Sequence, residues 1–468
     1  MSNKVIIIGG GPAGITAGYH LAKNGISCSV YEKENLLGGI AKTIEYKGYY
    51  FDLGGHRFFT KNNEINQIWH EALKEDFFKR PRLSRIYYKN KFYNYPIKLP
   101  EVIRNLGMWQ SFLVLVSYFR SKLFPYKKED SFEEYVSNRF GRKLYETFFK
   151  SYTEKVWGMP CTELKAEWAA QRIKNLSLVT AVLNAVFGNR GNKIKTLISE
   201  FEYPKYGPGM MWNGMAKIIT SNGGEVAFGT EITRINIEGN KVKSVIVSSK
   251  NGEKELAIDY LLSSMPLREM VMRIYPKPEN SFIEAARKLK YRDFVTVALI
   301  IDEENMFPDN WIYIHAPEVK LGRIQNFKNW SSFMTPDSKK TCLGLEYFCF
   351  EGDDIWNMDD KDLIKLGTEE LFKIELLSDK AKVIDGKVVR VPKAYPVYDG
   401  TYKESLELVK EYLSSISNLQ VIGRNGMHRY NNMDHSMLTG LMAAKNIMGE
   451  KHNIWDVNAD EEYHEEQK

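Results

Sequence analysis

A glycine pattern near the start of the sequence is followed by an acidic residue. Gly9, Gly11 and Gly14 form G-x-G-x-x-G, and Glu32 follows at the end of the next apolar run. In such a pattern the first glycine permits a tight turn, the second lets the backbone approach a pyrophosphate, and the third lets a helix pack on a sheet. A carboxylate placed like Glu32 binds an adenosine ribose and repels a phosphorylated one. These four residues predict a dinucleotide site.

The elements that must position these residues are indicated by the flanking sequence. Residues 4–8 form an apolar, β-branched run, residues 13–23 have helical spacing, and residues 27–31 have the composition of a second strand. This order predicts a βαβ unit whose helix N-terminus faces the phosphates. The cofactor contacts predicted here are Gly9, Gly11, Pro12, Ala13, Gly14, Glu32 and Lys33.

A second glycine turn favours FAD over NAD. Gly38 and Gly39 come shortly after Glu32, and this arrangement resembles the two-part fingerprint of the glutathione-reductase-like flavoproteins. No second G-x-G-x-x-G with a following acid occurs downstream, so the sequence predicts no built-in nicotinamide domain. The flavin would be reduced by its substrate, or by NAD(P)H or another reductant that reaches its open face.

The composition excludes several classes of protein. The 65 basic and 59 acidic residues give a net charge of only +6, which predicts no nucleic-acid partner. The four cysteines form no C-x-x-C pair, so neither a metal site nor a disulfide framework is predicted. Because the start of the chain also shows no secretory signal, a cytoplasmic location is favoured.

The longest apolar run lies at residues 111–119. It is much shorter than the roughly 20 residues that span a bilayer, so no transmembrane segment is predicted. Basic residues on both sides of the run permit a contact with a membrane surface. A buried helix in a helical lobe is nevertheless the favoured interpretation.

The periodicity of the whole chain predicts an α/β protein: a Rossmann-like FAD-binding domain with a helical domain and an antiparallel β-sheet substrate domain. Residues 224–249 and 293–350 have strand-like alternation, and residues 433–449 form an amphipathic pattern. The predicted division is a discontinuous FAD-binding domain over residues 1–75, 205–270 and 385–450, a helical domain over 76–200, an antiparallel sheet domain over 271–384, and an acidic tail over 456–468.

Five segments together resemble the UDP-galactopyranose mutase family, flavoenzymes that interconvert the pyranose and furanose forms of a nucleotide sugar. FDLGGHRFFTKNNEI at residues 51–65 is similar to the family's loop beside the isoalloxazine. FFKSYTEKVWGMPCTELKAEWAAQRI and KLGRIQNFKNW are similar to the segments that carry two diphosphate arginines. AYPVYD and GRNGMHRYNNMDHSMLTGLMAAKNI resemble the two C-terminal segments that supply tyrosines and close over the flavin. The identities of the sugar and the base stay open.

The resemblance implies a set of site residues. Planar, permanently charged arginines suit a diphosphate, and tyrosine hydroxyls can donate to phosphate oxygens without adding charge. The catalytic residues implied are Arg172, Arg323, His56, Tyr395 and Tyr430. The substrate contacts implied are Tyr152, Trp157, Arg172, Arg323, Tyr395 and Tyr430. The remaining cofactor contacts implied are Gly38, Gly39, Gly55, His56, Arg424, Tyr430, Asn432, Met433 and Ser436.

Each of these residues also has a purely structural interpretation. Arg323 could form an ion pair, Arg172 could lie on a solvated helix face, and either tyrosine could be a core aromatic residue. His56 could be a buried structural histidine, and general-base chemistry is not assigned to it. Trp157 is more typical of a packed aromatic residue than of a reacting one.

The function that the resemblance implies is a flavin-dependent mutase acting through N5 of reduced FAD on a nucleotide-diphosphate sugar, in surface polysaccharide synthesis. The sequence is also compatible with a homodimer. The alternative is an FAD-dependent oxidase or desaturase of the amine oxidase, protoporphyrinogen oxidase and phytoene desaturase group. That group uses oxidised flavin as a hydride acceptor in a mostly apolar pocket. A third alternative is a flavin-bearing scaffold without turnover.

Overall fold

The computed structural model describes residues 4–95, 99–173 and 198–458, except the side chains of residues 99–100 and 170–173. A five-stranded parallel sheet forms the first half of the core. Its strands, in spatial order, are Leu419–Val421, Tyr260–Ser263, Val5–Ile8, Cys28–Tyr31 and Glu225–Ala227. The central strand Val5–Ile8 is buried along its whole length, as expected of a parallel strand covered on both faces.

The predicted βαβ unit is confirmed. The helix Pro12–Lys23 connects Val5–Ile8 to Cys28–Tyr31 and packs between the helices Met433–Ile447 and Gly209–Ser221. The helix Pro12–Lys23 approaches the preceding turn so closely that its residue 14 must be glycine, because a Cβ atom at Gly14 would lie 1.9 Å from the carbonyl oxygen of Gly9.

A seven-stranded sheet forms the second half of the core and is antiparallel except for one pair. Its strands, in spatial order, are Val383–Pro396, Tyr291–Ile301, Thr341–Cys349, Arg323–Asn326, Trp311–Ile314, Ser84–Tyr88 and Lys91–Asn94. Every residue of Tyr291–Ile301 and of Thr341–Cys349 is buried. The α/β fold class predicted from the sequence is confirmed, including a parallel sheet and an antiparallel one.

The secondary structure differs from the prediction near two of the predicted domain boundaries. The segment predicted as helical from residue 76 begins with the strands Phe77–Pro81, Ser84–Tyr88 and Lys91–Asn94. The segment predicted to rejoin the FAD-binding domain at residue 385 instead forms the edge strand Val383–Pro396 of the seven-stranded sheet. Short strands that pair with distant partners carry no local signal that separates them from helix.

The helical lobe follows these strands. Its helices are Leu99–Leu106, Met108–Leu123, Phe132–Phe140, Arg142–Leu144, Tyr145–Lys150, Ser151–Trp157 and Ala166–Ile173. The prediction that the apolar run at residues 111–119 lies in a buried helix is wrong, because Phe112 and Phe119 are each more than half exposed. No helix among the described residues is long and apolar enough to cross a bilayer.

The remaining elements connect or cover the two sheets. A four-stranded sheet contains Gly252–Ala257, Lys241–Ser249, Glu231–Glu238 and Ile274–Tyr275, and a turn at Gly239 and Asn240 joins two of these strands as an antiparallel hairpin. The other strands are Thr43–Tyr46, Tyr49–Asp52 and Glu200–Pro204. The other helices and helical turns are Gly39–Ala41, Asn63–Leu73, Lys74–Asp76, Leu267–Arg273, Asn280–Lys288, Phe327–Trp330, Ser332–Met334, Asp354–Asn357, Asp360–Lys373, Tyr402–Ser414, Gly423–Gly426 and Ile454–Asp456. Most of the predicted acidic tail, residues 459–468, lies outside the described residues.

Candidate functional site

Two adjoining cavities run between the parallel sheet and the seven-stranded sheet. The larger, of about 500 Å³, extends from Glu32 past the glycine turn to the start of the last long helix. The smaller, of about 140 Å³, is lined by Arg323 and Tyr395. His56 and Arg424 line both cavities, so the two spaces meet at these side chains.

The glycine turn forms the middle of the larger cavity. Gly11 precedes the helix Pro12–Lys23, which has no side-chain cap and no acidic residue in its first turn. A Cβ atom at Gly11 would lie 3.9 Å from its nearest neighbour, Gly39, so the two glycine turns lie close together, and both line the larger cavity. Uncapped backbone N–H groups and the helix dipole make this part of the cavity suitable for phosphate.

Glu32 closes one end of the larger cavity. Its carboxylate accepts hydrogen bonds from the backbone N–H groups of Gly10 at 2.7 Å and Glu34 at 2.9 Å. Burial raises the pKa of Glu32, and these two hydrogen bonds oppose that rise. A carboxylate held in this way has lone pairs left for ribose hydroxyls. The glycine turns and Glu32 therefore fit a dinucleotide whose adenosine lies at this end.

His56 lies where the two cavities meet. Burial, reinforced by the positive charges of Arg424, Arg323 and Arg57, lowers the pKa of His56 to about 3. The imidazole is therefore neutral near pH 7. Among the described residues its buried Nδ1 atom has no hydrogen-bond partner. A neutral ring with one unused polar atom fits the polar edge of a flavin.

Arg424 is held in place by backbone carbonyl groups and aromatic rings. It donates to the carbonyl oxygens of Asn431 at 2.9 Å and Ala394 at 3.1 Å. Its guanidinium lies 4.8 Å from the ring centroid of Tyr430, and the Tyr430 ring stacks on Tyr395 with centroids 5.5 Å apart. The rigid tyrosine pair forms one wall of the smaller cavity.

Arg323 forms a second wall of the smaller cavity. Its Nη2 atom lies 2.8 Å from the carboxylate of Glu346 and donates to the hydroxyl of Tyr395 at 3.2 Å. Burial disfavours the charged guanidinium, but the carboxylate of Glu346 and the hydroxyls of Tyr395, Tyr152 and Tyr313 together outweigh burial, so the pKa of Arg323 is raised well above its ordinary value. Glu346 is itself fully buried and accepts a hydrogen bond from Gln325 at 2.8 Å. The cation is therefore permanent and fixed, which suits the binding of an anion.

Three residues were predicted as substrate contacts but are not seen at the cavities. Trp157 and Tyr152 line neither cavity, and the side chain of Arg172 is not among the described residues. Trp157 is buried 5.2 Å from Trp168 and 6.3 Å from Tyr395 between ring centroids, and it lines neither cavity. Tyr152 stacks on His315 at 4.5 Å and also lines neither cavity. The helix Ala166–Ile173 carries Arg172, whose side chain lies outside the described residues.

Most of the predicted cofactor residues come together at the larger cavity. Its lining includes Gly9, Gly11, Pro12, Ala13, Glu32, Lys33, Gly39, His56, Arg424, Asn432, Met433 and Ser436. Gly55 and Tyr430 line the smaller cavity, whereas Gly14 and Gly38 shape the turns without lining either space.

Several lining residues were not predicted from the sequence. The smaller cavity also contains Arg57, Trp311, Tyr313, Gln325, Asp434 and His435. Arg57 follows His56 directly, so the glycine loop was a signal that could have found it. Trp311 and Tyr313 lie on the strand Trp311–Ile314, far from that loop in the chain, and strand alternation alone does not indicate which face meets a cavity.

The family model for flavin containing amine oxidoreductases matches residues 12–448. The chain belongs to this family. Membership in the flavin-containing amine oxidoreductase family accounts for a flavin-sized space at the junction of the two sheets, and the residues described above fit that group.

The fold of this chain is similar to a solved structure over almost its whole length. The crystal structure of reduced UDP-galactopyranose mutase superposes with a TM-score of 0.86 at 22% sequence identity and covers 98% of both chains. The predicted resemblance to these mutases is therefore confirmed at the level of the fold.

Similarity to curated sequences is more local. The chain is 29% identical over 175 residues to dTDP-fucopyranose mutase of Escherichia coli, which is 35% of this chain and 44% of that protein. It is 49% identical over 51 residues to 4,4'-diaponeurosporene oxygenase of Staphylococcus haemolyticus, or 11% of this chain and 10% of that protein. The matches thus span less than half the length of these relatives.

Proposed function

We propose that this protein is an FAD-dependent mutase that interconverts the pyranose and furanose forms of a nucleotide-diphosphate sugar. Its similarity to a dTDP-fucopyranose mutase and the fold it shares with a UDP-galactopyranose mutase support this proposal. The observation that carries it is the largely buried, permanently charged Arg323 beside stacked tyrosines in the smaller cavity.

The proposed cofactor is FAD, used in its reduced form. Glu32 would hold the adenosine ribose, the turns at Gly11 and Gly39 would hold the pyrophosphate, and His56 would meet the flavin ring. When bound, a reduced flavin supplies a nucleophile for the anomeric carbon, and the interconversion involves no net oxidation.

The proposed task of the cavity residues is to hold the diphosphate while the anomeric bond breaks. Negative charge grows on the diphosphate as it leaves, and Arg323 would stabilise that charge with a donor already in place. Tyr395 would bind the same group through its hydroxyl, because burial raises its pKa to about 12 and keeps the proton on the oxygen. The neutral His56 would orient the ring system without taking up a proton.

An oxidase of the same family would use the cavity differently. An apolar substrate gains nothing from this guanidinium, whereas an anion could satisfy the donors that the pair with Glu346 leaves unused, including the buried Nε atom, which has no hydrogen-bond partner among the described residues. The arginine and tyrosine pair therefore supports the mutase over the oxidase.

The proposed location is the cytoplasm, where nucleotide-activated sugars would be the substrate pool for polysaccharide synthesis. The four cysteines, Cys28, Cys161, Cys342 and Cys349, are all buried and free of disulfides. Unpaired thiols are typical of proteins in a reducing compartment, which supports this part of the proposal.

The test is conversion of nucleotide sugars by the dithionite-reduced, FAD-loaded protein, measured as product ring size by NMR. Arg323→Ala should lower kcat/KM by about a hundredfold to a thousandfold, as for the loss of other preorganised donors. Arg139→Ala is the matched control, because Arg139 also pairs with a carboxylate at 2.8 Å and covers an aromatic ring but lines neither cavity.

Two results would contradict the proposal. One is release of hydrogen peroxide in air, from amine or polyene substrates, by a protein that converts no nucleotide sugar, which is the result expected of an oxidase. The other is unchanged sugar conversion by Arg323→Ala, which would remove Arg323 from the proposed mechanism.

A further inference from the structure

One helix of the helical lobe has its apolar side outward. In Met108–Leu123 the buried residues are Ser111, Val114 and Tyr118. The exposed ones include Trp109, Phe112, Val116, Phe119 and Leu123, which recur every three or four positions and therefore form one continuous stripe. We call this stripe, together with Met108 and Phe124, the apolar face. Such faces mark interaction sites, because a free monomer gains no stability from exposing them.

The helix is fixed in this orientation by contacts on its inner side. The hydroxyl of Ser117 accepts a hydrogen bond from the backbone N–H of Lys143 at 2.9 Å. A Cβ atom at Gly141 would lie 2.7 Å from the backbone of Tyr118, so the two segments approach closely. Just beyond the helix, the backbone N–H of Tyr126 donates to Asn138 at 2.9 Å. The apolar face is therefore presented by a packed element.

The charges on the segment that carries the apolar face have one sign. Residues 102–128 contain no acidic residue. Of the carboxylates that flank this segment along the chain, Glu101 accepts the backbone N–H of Asn94 and Glu129 pairs with Arg139. The basic residues of this segment are all exposed and are Arg104, Arg120, Lys122, Lys127 and Lys128.

We propose that the apolar face docks on an anionic lipid bilayer, with the helix Met108–Leu123 lying in the plane of the headgroups. Apolar residues would enter the acyl boundary while the surrounding lysines and arginines contact lipid phosphates. A second copy of the chain fits less well, because a two-fold contact through this face would bring five positive charges against five more. The helix need not cross the bilayer, which agrees with its length.

The test is sedimentation of the full-length, flavin-loaded protein with sucrose-filled vesicles of phosphatidylcholine, with or without one-third phosphatidylglycerol. We expect binding to the anionic vesicles, at least about tenfold weaker binding to neutral ones, and loss of binding at 0.5 M NaCl, where the Debye length falls to about 4 Å. The double variant Lys127→Gln/Lys128→Gln should weaken binding to the anionic vesicles by about 25-fold, because each basic residue near a membrane surface contributes about 1 kcal/mol of binding free energy.

The apolar contribution is tested by Phe112→Ser/Phe119→Ser, which should weaken vesicle binding by at least about tenfold. Phe372→Ser/Ile384→Ser is the matched control, because these side chains are 39% and 49% exposed and lie outside the apolar face. Circular dichroism and bound flavin are measured for each variant, and both should match those of the unchanged protein.

Three outcomes would overturn the proposal. The first is no binding to anionic vesicles at low salt. The second is equal loss of binding in the control variant, which would indicate a general effect of exposed apolar residues. The third is a dimer in analytical ultracentrifugation that Phe112→Ser/Phe119→Ser dissociates while vesicle binding is absent, which would assign the face to a second copy. None of these outcomes depends on the proposed mutase activity.

Discussion

Asp52 ends the strand Tyr49–Asp52 and is completely buried beneath the two sheets. Its carboxyl accepts hydrogen bonds from the hydroxyls of Tyr203 and, at 2.9 Å, Thr43. Burial raises the pKa of Asp52 from 3.8 to about 7, although these hydrogen bonds oppose the rise. In the unfolded chain the same carboxyl returns to its ordinary pKa, so the protonation of one residue links pH to the stability of the whole protein.

The stability of the protein should fall as pH rises from about 4 to 7, because the folded state retains a proton on Asp52 that the unfolded chain has released. A difference of about three pKa units corresponds to up to about 4 kcal/mol. Asp52→Asn should remove this part of the pH dependence, as measured by urea unfolding at pH 5, 6, 7 and 8. Parallel curves for the two proteins would mean that Asp52 ionises as readily in the folded state as in the unfolded chain.

Glu346 balances the charge of Arg323, and neutralising it should have two opposite effects. Glu346→Gln should lower the free energy of unfolding by about 1–3 kcal/mol, less than for a fully enclosed pair because Arg323 also faces the cavity. It should also tighten the binding of inorganic pyrophosphate by about tenfold, because no carboxylate then competes for the guanidinium. Urea unfolding with and without pyrophosphate measures both effects.

The control for this change is Glu129→Gln, which breaks the half-exposed pair with Arg139. It should change stability by less than about 1 kcal/mol and leave pyrophosphate binding unaltered. If Glu346→Gln behaved in the same way, Arg323 would not be the anion-binding group of the smaller cavity.

At the scale of elements, the cofactor region depends on two helices that cross almost in backbone contact. Gly440 lies in Met433–Ile447 where that helix crosses the start of Pro12–Lys23, and a Cβ atom there would lie 2.0 Å from the carbonyl oxygen of Ala13. A larger residue would push apart the two helices whose N-termini line the larger cavity.

Gly440→Ala should therefore destabilise the protein by about 1–3 kcal/mol, as overpacking does elsewhere, and reduce the flavin bound after purification. Gly400→Ala is the control, because nothing lies within 4 Å of a Cβ atom at Gly400 and its φ angle is not positive. The control should stay within about 0.5 kcal/mol of the unchanged protein. Urea unfolding and flavin absorbance distinguish the two, and equal behaviour would show that the crossing can relax.

At the scale of the whole molecule, the cavities are lined by segments from both ends of the chain and from the seven-stranded sheet between them. A dinucleotide that fills this space should therefore stabilise all the segments together. FAD at a hundred times its Kd should raise the free energy of unfolding by about 2.7 kcal/mol.

FMN, which lacks the adenosine half, should stabilise the protein by less than about 0.5 kcal/mol at the same concentration, as for a hundredfold weaker ligand. Glu32→Gln should reduce the effect of FAD and leave that of FMN unchanged, because only FAD carries the adenosine ribose. Unfolding curves with each ligand provide the measurement. Equal stabilisation by the two flavins would contradict the place given to the adenosine beside Glu32.

The dinucleotide turn and the class of fold could be predicted from the sequence alone. Residues 5–31 form a complete βαβ unit, and Glu32 and Gly39 follow it within eight residues, so local spacing was enough to predict that Gly11, Gly39 and Glu32 lie near one another, as they do along one cavity. Strands within residues 293–350 were also predictable from their alternation, although Tyr291–Ile301 and Thr341–Cys349 are in fact buried along their whole length.

Which distant residues share the smaller cavity, and which apolar residues stay exposed, depends on how the chain folds in three dimensions. Arg323 meets Glu346 through pairing of neighbouring strands, and Trp311 joins them from a third strand, so no spacing along the chain contains this juxtaposition. The stripe on Met108–Leu123 has the same periodicity whether it points inward or outward. Its direction depends on what packs beneath the helix, which is a property of the folded lobe and not of the local sequence.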